Sequence, residues 1–226
     1  EGQMLLRTKW ITLDPYMRSG FMNSSASVGK TVIGGTVSEV VESKTPRWQA
    51  GDLLVGYYGW QEFSVATPDD LQWNNEGMPI QKWDGSLGPA STALGILGMT
   101  GYTAYEGLLN VAQVKAGDTV VVAAASGAVG QVVGQLAKIH GARAVGIAGG
   151  PAKCAFCVDE LGFDACLDYK AGNLRDALAD AVPEGIDIYF ENVGGEVLEA
   201  VIPLLNSGAR VPICGFIAHY NLTAEQ

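Results

Sequence analysis

Residues 119–130 read Thr-Val-Val-Val-Ala-Ala-Ala-Ser-Gly-Ala-Val-Gly, and this stretch decides the fold. Residues 120–125 form an unbroken apolar run, which is typical of a strand buried on both faces of a parallel sheet. A turn containing Gly127 follows, and residues 129–140 then place apolar side chains at helical spacing before Gly141, a glycine helix stop. Strand, glycine turn and helix in this order indicate the first unit of a βα fold.

The same alternation continues along the rest of the chain. The pattern predicts further strands at 144–148, 165–168, 186–191 and 209–216, with helices at 152–161, 174–181 and 196–205. Strands that alternate with helices imply right-handed crossovers and a doubly wound parallel sheet, so the predicted fold class is α/β.

The first part of the chain has a different pattern. Short β-rich segments bounded by Gly, Pro, Asn or Asp lie at 4–12, 32–42, 53–58 and 61–66. Residues 87–109 are predicted to supply helices that link the two parts. We therefore expect a β-rich domain over 1–90 and a parallel α/β domain over 91–226.

Composition and net charge limit the classes of molecule that the chain is expected to bind. The 226 residues are 48% apolar and 17% charged, which suits a packed core rather than disorder. Against 14 Lys and Arg there are 24 Asp and Glu, a net charge of −10, so we expect neither a nucleic acid nor a membrane surface as partner. Four irregularly spaced cysteines do not indicate a disulfide framework, and a cytoplasmic location is expected. The chain starts at Glu1 inside a strand-like stretch, so we expect a fragment.

The first βα turn is a candidate nucleotide site. It reads Ala124-x-x-Gly127-x-x-Gly130, where the common fingerprint has G-x-G-x-x-G. Small residues there let the backbone approach a pyrophosphate, and the following helix offers free N–H groups. A plain tight turn is the alternative, but the position after the first buried strand of a βα series favours dinucleotide binding.

The residues at the end of the second strand of the βα series discriminate between NAD and NADP. An NAD site has an Asp or Glu about 20 residues beyond the glycines, whereas this chain has Gly149 and Gly150 there and no acid before Asp159. Lys153 follows closely and could meet a 2′-phosphate, although a lone lysine is commonly a solvated surface charge. The missing acid favours NADP.

Other reactive residues indicate little chemistry of their own. Cys154 and Cys157 form one C-x-x-C inside a predicted helix, with no second pair and no nearby His, which favours packing over zinc or redox chemistry. No Ser-His-Asp or paired-carboxylate pattern stands out around His140 or His219, so a hydrolase is disfavoured. Hydride transfer is the chemistry that a nicotinamide site serves.

Several motifs in order resemble one family. They are Asp14-Pro-Tyr-Met-Arg18, Gly98-Met-Thr-Gly-Tyr-Thr-Ala-Tyr105, Ala125-Ser-Gly-Ala-Val-Gly130, Ala148-Gly-Gly-Pro-Ala-Lys153, Phe190-Glu-Asn-Val-Gly-Gly195 and Cys214-Gly-Phe-Ile-Ala-His-Tyr-Asn221. They resemble the zinc-independent medium-chain dehydrogenase/reductases, in the branch of leukotriene hydroxydehydrogenases, prostaglandin reductases, double-bond reductases and curcumin reductases. The resemblance implies a GroES-like catalytic domain followed by a Rossmann domain, with NADPH in the cleft between them.

The resemblance also implies roles for individual residues. Tyr220 is the expected catalytic hydroxyl, and Tyr16 is a weaker candidate for the substrate wall, with core packing as its alternative. The expected cofactor-binding residues, from the pyrophosphate turn through the adenosine end to the nicotinamide pocket, are Gly127, Ala128, Val129, Gly130, Gly149, Gly150, Lys153, Tyr169, Asn192, Cys214, Gly215, Phe216, Ile217, Tyr220, Met99 and Gly101.

The implied activity is NADPH-dependent reduction of the carbon-carbon double bond of an enone or alkenal, in a homodimer. Quinone reduction by the same superfamily, and NADPH binding without turnover, are the alternatives. Gly34-Gly-Thr36 stands where zinc-dependent relatives carry Gly-His-Glu, and the Cys ligands are missing too, so no zinc is expected. The loop 22–30 is shorter than in relatives. The chain begins at Glu1 inside a strand-like stretch and stops at Gln226, where the family continues, so truncation at both ends is expected.

Overall fold

The computed structural model describes residues 2–18, 28–68 and 80–222. Most of the short loop noted at 22–30 therefore lies outside the described residues. The chain divides into two compact units, Glu1–Gly98 and Met99–Gln226, and each contains one five-stranded sheet.

The sheet of the first unit is antiparallel. Its strands are β1 (Met4–Ile11), β2 (Thr36–Ser43), β3 (Leu53–Gly56), β4 (Phe63–Ala66) and β5 (Gln81–Trp83), in the order β4-β1-β2-β3-β5. The inward face of this sheet packs around Leu6, Val40 and Leu54, which are almost fully buried.

Two boundaries in the first unit differ from the prediction. The second strand begins at Thr36 and not at Val32, because the backbone at Val32 and Gly34 accepts hydrogen bonds from the loop at 59–60 instead of continuing the ladder. The three-residue β5 was missed, since it is too short and polar to show alternation. Residues Ala90–Leu94 form a 3-10 helix that contacts β1 and β2.

The sheet of the second unit is parallel, which confirms the predicted doubly wound fold. Its strands are β6 (Thr119–Ala123), β7 (Arg143–Ala148), β8 (Ala165–Asp168), β9 (Ile186–Phe190) and β10 (Leu205–Arg210), in the order β10-β9-β6-β7-β8. The chain runs outward from β6 to β8 on one side and from β9 to β10 on the other. The strand order therefore reverses beside β6, and ligands of such sheets bind at the carboxyl ends of the strands at this point.

Helices cover both faces of the parallel sheet. They are α1 (Met99–Tyr105), α2 (Gly130–Ile139), α3 (Pro151–Ala155), α4 (Leu174–Ala181) and α5 (Gly195–Val201). Val120 and Val122 of β6 belong to one apolar cluster, whereas Val121 and Ala123 belong to the cluster on the opposite face. Burial on both faces explains why the sequence of β6 is apolar without alternation.

Two of these helices change their hydrogen bonding at the carboxyl end. Helix α1 continues into a π-helix over Glu106–Val111, and α3 into a π-helix over Phe156–Glu160. None of the helices in the described residues is long and apolar enough to span a membrane.

The last predicted helix and strand were misplaced. Helix α5 ends at Val201, and a 3-10 turn over Ile202–Leu204 leads directly into β10 at Leu205. Pro203 lies in that turn and cannot extend the α-helical hydrogen bonding. The predicted strand 209–216 therefore starts four residues earlier and ends at Arg210, and only Ile213 beyond it bridges to Glu191.

Two close approaches surround the turn that precedes α2. A Cβ built on Gly134 of α2 would lie 1.9 Å from Cζ of Phe163, and one on Gly146 of β7 would lie 2.7 Å from Cβ of Ala125. Glycine at 134 therefore lets Phe163 pack against α2, and glycine at 146 lets β7 lie against the turn. This packing sets the position of the turn that precedes α2.

Candidate active site

The turn after β6 is shaped by two glycines. Ala124 has a φ of +50°, and its carbonyl oxygen accepts a hydrogen bond of 2.8 Å from the N–H of Gly127. A Cβ built on Gly130 would lie 2.3 Å from that same oxygen. Any side chain at 130 would therefore push the turn away from the start of α2.

Three consecutive backbone N–H groups at this turn are free to bind a ligand. Within the described residues, the N–H groups of Ala128, Val129 and Gly130 have no hydrogen-bond acceptor, whereas the next one, of Gln131, donates to Gly127 O at 3.0 Å. These groups open the ten-residue helix α2. A row of free N–H groups at the start of a helix suits the pyrophosphate of a dinucleotide.

The loop after β7 is tied to the loop after β8 by a carboxylate. Asp168 Oδ1 accepts hydrogen bonds from the N–H of Gly150 at 2.8 Å and of Lys170 at 3.0 Å, and these bonds lower the pKa of Asp168. Gly150 has a φ of +98° in this arrangement. The loop after β7 has no acid of its own before Asp159, but it contacts the carboxylate of Asp168. Asp168 belongs to the neighbouring strand β8, where it pairs in register with Ala148.

Side chains from the loop after β8 cover Gly149. A Cβ built there would lie 2.9 Å from Cε1 of Tyr169 and 3.2 Å from Cε of Lys170, whose Nζ lies 5.8 Å from the centre of the Tyr169 ring. Lys153 in α3 is exposed and forms no ion pair with any described residue. Lys170 is a second cation at this edge that the sequence analysis missed.

A buried carboxylate organises the loop after β9. Glu191 is fully buried, and its Oε1 accepts from the N–H groups of Val193 and Gly194 at 2.5 and 2.9 Å, while its Oε2 accepts from the Tyr189 hydroxyl at 3.0 Å. Burial, and then the Glu191 charge, raise the pKa of Tyr189, which stays protonated and donates. Glu191 lies within one of the motifs that resemble the family, but no role was predicted for it.

The backbone of the same residue holds the loop after β10. Glu191 N donates to Pro212 O at 3.0 Å, and Cys214 N donates to Glu191 O at 2.9 Å. Beside it, Nδ2 of Asn192 donates to Ala123 O at 2.8 Å, at the end of β6. The loops after β6, β9 and β10 are therefore held together by residues 191 and 192.

The segment 214–220 folds back over the loop after β9. Phe216 stacks on His219 with ring centres 5.7 Å apart, and a Cβ built on Gly194 would lie 2.9 Å from Cδ1 of Phe216. The hydroxyl of the half-buried Tyr220 lies 3.3 Å from where a Cβ on Gly215 would stand. Glycine at 194 and 215 thus leaves space for these rings, and His219, which the sequence analysis set aside, lies in this segment.

Of the remaining candidates in the second unit, Cys214 and Ile217 lie beside the loop after β9, and Met99 and Gly101 lie in α1. Ile217 N donates to Asn192 O at 3.4 Å, and desolvation raises the pKa of the Cys214 thiol. Met99 and Gly101 lie in α1, half-buried and buried respectively, and α1 packs against α2.

Tyr16 belongs to the first unit, beside Tyr57 and Asp14. Burial is the main cause that raises the pKa of the Tyr16 hydroxyl, and the neighbouring Tyr57 and Asp14 raise it further. The hydroxyl therefore stays protonated through the neutral range. The same unit contains Gly34, where a Cβ would lie 2.9 Å from Cε of Met17. Across residues 2–18, 28–68 and 80–222, no group of three or more His, Cys, Asp or Glu could hold a metal ion.

Comparisons with known proteins match both units. Residues 1–73 match the family described as N-terminal domain of oxidoreductase, and residues 128–224 match the family described as zinc-binding dehydrogenase. The chain is 50% identical over 229 residues to the NADPH-dependent curcumin reductase of Escherichia coli (strain K12), covering 99% of this chain and 64% of that protein.

Two further proteins resemble the chain over nearly all of its length. The 2-alkenal reductase (NADP(+)-dependent) of Nicotiana tabacum is 41% identical, over 98% of this chain and 64% of that protein. The crystal structure of CurA in complex with NADPH from Vibrio vulnificus superposes with a TM-score of 0.88 at 46% identity, covering 99% of this chain and 65% of that one. The chain thus spans slightly less than two thirds of the length of these proteins.

The role of the buried carboxylate gives a testable prediction. Glu191→Ala leaves the Val193 and Gly194 N–H groups and the Tyr189 hydroxyl without their acceptor. Unpaired buried donors are costly, so we expect the free energy of unfolding to fall by about 2–5 kcal/mol. Urea denaturation of both proteins measures this difference.

The matched control is Glu199→Ala, which removes an exposed carboxylate from α5. We expect that change to stay within about 0.5 kcal/mol of the parent. Equal stabilities for the two variants would show that Glu191 does not anchor the loop.

Proposed function

We propose that the chain belongs to the zinc-independent medium-chain dehydrogenase/reductases and that its protein reduces the carbon-carbon double bond of α,β-unsaturated ketones and aldehydes with NADPH. The observation that carries the proposal is the row of three free N–H groups at Ala128, Val129 and Gly130, at the point where the strand order reverses. The names of the relatives at 41–50% identity support the substrate class.

The residues at the carboxyl edge of the parallel sheet fit a dinucleotide phosphate. We propose that Ala128, Val129 and Gly130 hold the pyrophosphate through backbone N–H groups, and that Gly127 lets the backbone approach it closely. Gly149, Gly150, Lys153 and Tyr169 would hold the adenosine end, and Asn192, Cys214, Gly215, Phe216 and Ile217, with Met99 and Gly101, the nicotinamide half. NADPH, when bound, supplies a hydride to the β-carbon of the substrate.

Lysines support the choice of NADPH over NADH. Lys153 is exposed with no ion pair to a described residue, and Lys170 lies close by over Gly149. The one carboxylate near the loop, Asp168, is engaged by two backbone N–H groups, which leaves it a poorer partner for ribose hydroxyls. Two cations beside an occupied acid favour a 2′-phosphate.

Tyr220 is the residue that we propose for the chemistry. Reduction of an enone moves negative charge onto the substrate oxygen, and the Tyr220 hydroxyl would donate a hydrogen bond to that oxygen. The proton needed at the α-carbon would come from the same hydroxyl or from water. Gly215 suits this role because a Cβ there would lie 3.3 Å from the Tyr220 oxygen and would crowd it. Tyr16 would form part of the substrate wall.

The organisation of the whole protein is part of the proposal. We propose a GroES-like catalytic domain over 1–90, an NADP-binding domain over 91–226, and a homodimer in the cytoplasm. The match of residues 1–73 to the family described as N-terminal domain of oxidoreductase supports a separate first domain, and the four free cysteines support the cytoplasm.

A substrate panel tests the proposed function. NADPH absorbance is followed with a short 2-alkenal, a curcumin-like dienone and a quinone, and each assay is repeated with NADH. We expect turnover of the alkenal and the dienone, faster with NADPH than with NADH. In Lys153→Ala the preference for NADPH should shrink by about tenfold, since one charge-assisted contact is worth roughly 1.5 kcal/mol or more.

Two outcomes contradict the proposal. Turnover of the quinone alone would make the protein a quinone reductase. Binding of NADPH with no turnover of any substrate would make it a cofactor-binding protein without enzymatic activity.

The role of Tyr220 gives a second prediction. Tyr220→Phe removes the hydroxyl but keeps the ring, so kcat for the alkenal should fall by about 100-fold, as is typical when a proton donor is lost. The Kd for NADPH should stay within about twofold, because the proposed phosphate contacts are untouched. Stopped-flow kinetics and a fluorescence titration measure the two quantities.

Tyr102→Phe is the matched control, since Tyr102 is 66% exposed on α1. We expect it to keep the parent kcat. An unchanged kcat in Tyr220→Phe would remove Tyr220 from the mechanism.

A further inference from the structure

Two aromatic rings are stacked in the segment that carries Tyr220. The ring centres of Phe216 and His219 lie 5.7 Å apart and the ring planes differ by 12°, which is the offset stacked arrangement that aromatic pairs prefer. His219 is exposed, and its ring nitrogens form no hydrogen bond with any residue that the structure describes. The mechanism proposed above leaves this imidazole without a role.

The local fold holds the imidazole in place. His219 closes a 3-10 turn, in which its backbone N–H donates to Phe216 O at 2.9 Å. Ala218 N donates to Val193 O at 2.9 Å, and this bond ties the turn to the loop after β9. In that loop, a Cβ built on Gly194 would lie 3.3 Å from Cε1 and Nε2 of His219. A ring that is already ordered loses little conformational entropy when a ligand binds to it.

The neighbours of this ring pair are apolar. Ile217 is 43% exposed, and Ala218 beside it is exposed as well. Phe216 lies against one face of the imidazole, so the exposed surface of His219 belongs to the rest of the side chain. An apolar surface that contains an aromatic ring suits a second aromatic ring as its ligand, since such pairs gain more than area burial alone provides.

The ring pair belongs to the same short segment as the hydroxyl that we propose for the chemistry. A Cβ built on Gly215, which directly precedes Phe216, would lie 3.3 Å from the Tyr220 oxygen, and Tyr220 directly follows His219. In an enone with an aryl group on its β-carbon, only the carbonyl carbon, the α-carbon and the β-carbon separate the oxygen from the ring. A substrate whose oxygen binds at Tyr220 therefore carries its aryl ring within reach of the pair.

We propose that His219, held by Phe216, stacks on the aryl ring of aryl-substituted enones and favours them over alkyl-substituted enones of the same size. The preference for an enone rests on the proposed function, whereas the contact between the imidazole and an aryl ring requires no turnover. Stacking of this kind corresponds to about a two- to tenfold gain for the aryl substrate.

A matched pair of substrates tests this preference. The kcat/KM for benzylideneacetone is divided by that for its cyclohexyl analogue, which has the same enone and a ring of similar size without π electrons. We expect this ratio to fall about two- to tenfold in His219→Leu and to be kept in His219→Phe, which retains an aromatic ring. Differences in intrinsic reactivity cancel, because each variant is compared with the parent.

The matched control is His140→Ala, since His140 is an exposed histidine at the end of α2. It should keep the ratio of the parent. An unchanged ratio in His219→Leu would overturn the proposal. Failure of the proposed function has a different signature, because the parent would then reduce neither ketone.

Nuclear magnetic resonance of the histidine ring protons tests the contact itself, whether or not an enone is reduced. Signals of the intact protein that disappear in His219→Leu are assigned to His219, and the protein is titrated with NADP+ and then with benzylacetone, the saturated ketone. We expect benzylacetone to shift these signals through its ring current, and its cyclohexyl analogue to leave them in place. The absence of a shift with benzylacetone would overturn the proposal. So would a shift with NADP+ alone, which would assign the ring pair to the cofactor.

Discussion

The buried carboxylate of Glu191 is the constraint on which the carboxyl edge of the parallel sheet depends. Its side chain accepts from the loop that starts α5 and from Tyr189, while its backbone pairs with residues 212–215. A charge in the interior is stable only when donors surround it, so the loop conformation and the charge stabilise each other. Removing either one would release the segment that carries Tyr220.

The carboxyl edge of the parallel sheet offers two kinds of contact to an anion, at two different places. At the start of α2 the attraction comes from backbone N–H groups, which hold a phosphate without any cationic side chain. At the loops after β7 and β8 it comes from Lys153 and Lys170, beside an Asp168 carboxylate that backbone groups already occupy. The backbone contacts favour any dinucleotide, whereas the lysines select the one with the extra phosphate.

The local sequence pattern predicted most of the helices and strands. The features that it did not predict depend on contacts between segments that are distant along the chain. The strand at 165–168 and the helix at 174–181 match the structure, because apolar periodicity and turn residues act within a few positions. Asp168 reaches Gly150 only through the pairing of strands that are distant along the chain. The turn at 124–130 was found from its glycines, but Glu191 carries no spacing signal, since a lone acid after an apolar strand is ordinarily solvated.

Backbone amide hydrogen exchange of the intact protein, with and without saturating NADPH, tests most directly that this edge binds the dinucleotide. We predict that peptides spanning 124–131, 148–154 and 191–195 exchange about tenfold more slowly with NADPH, because ligand contacts suppress local opening. NADH at the same concentration should protect 148–154 less. Unchanged exchange at 124–131 in the presence of NADPH would show that this turn does not bind the dinucleotide.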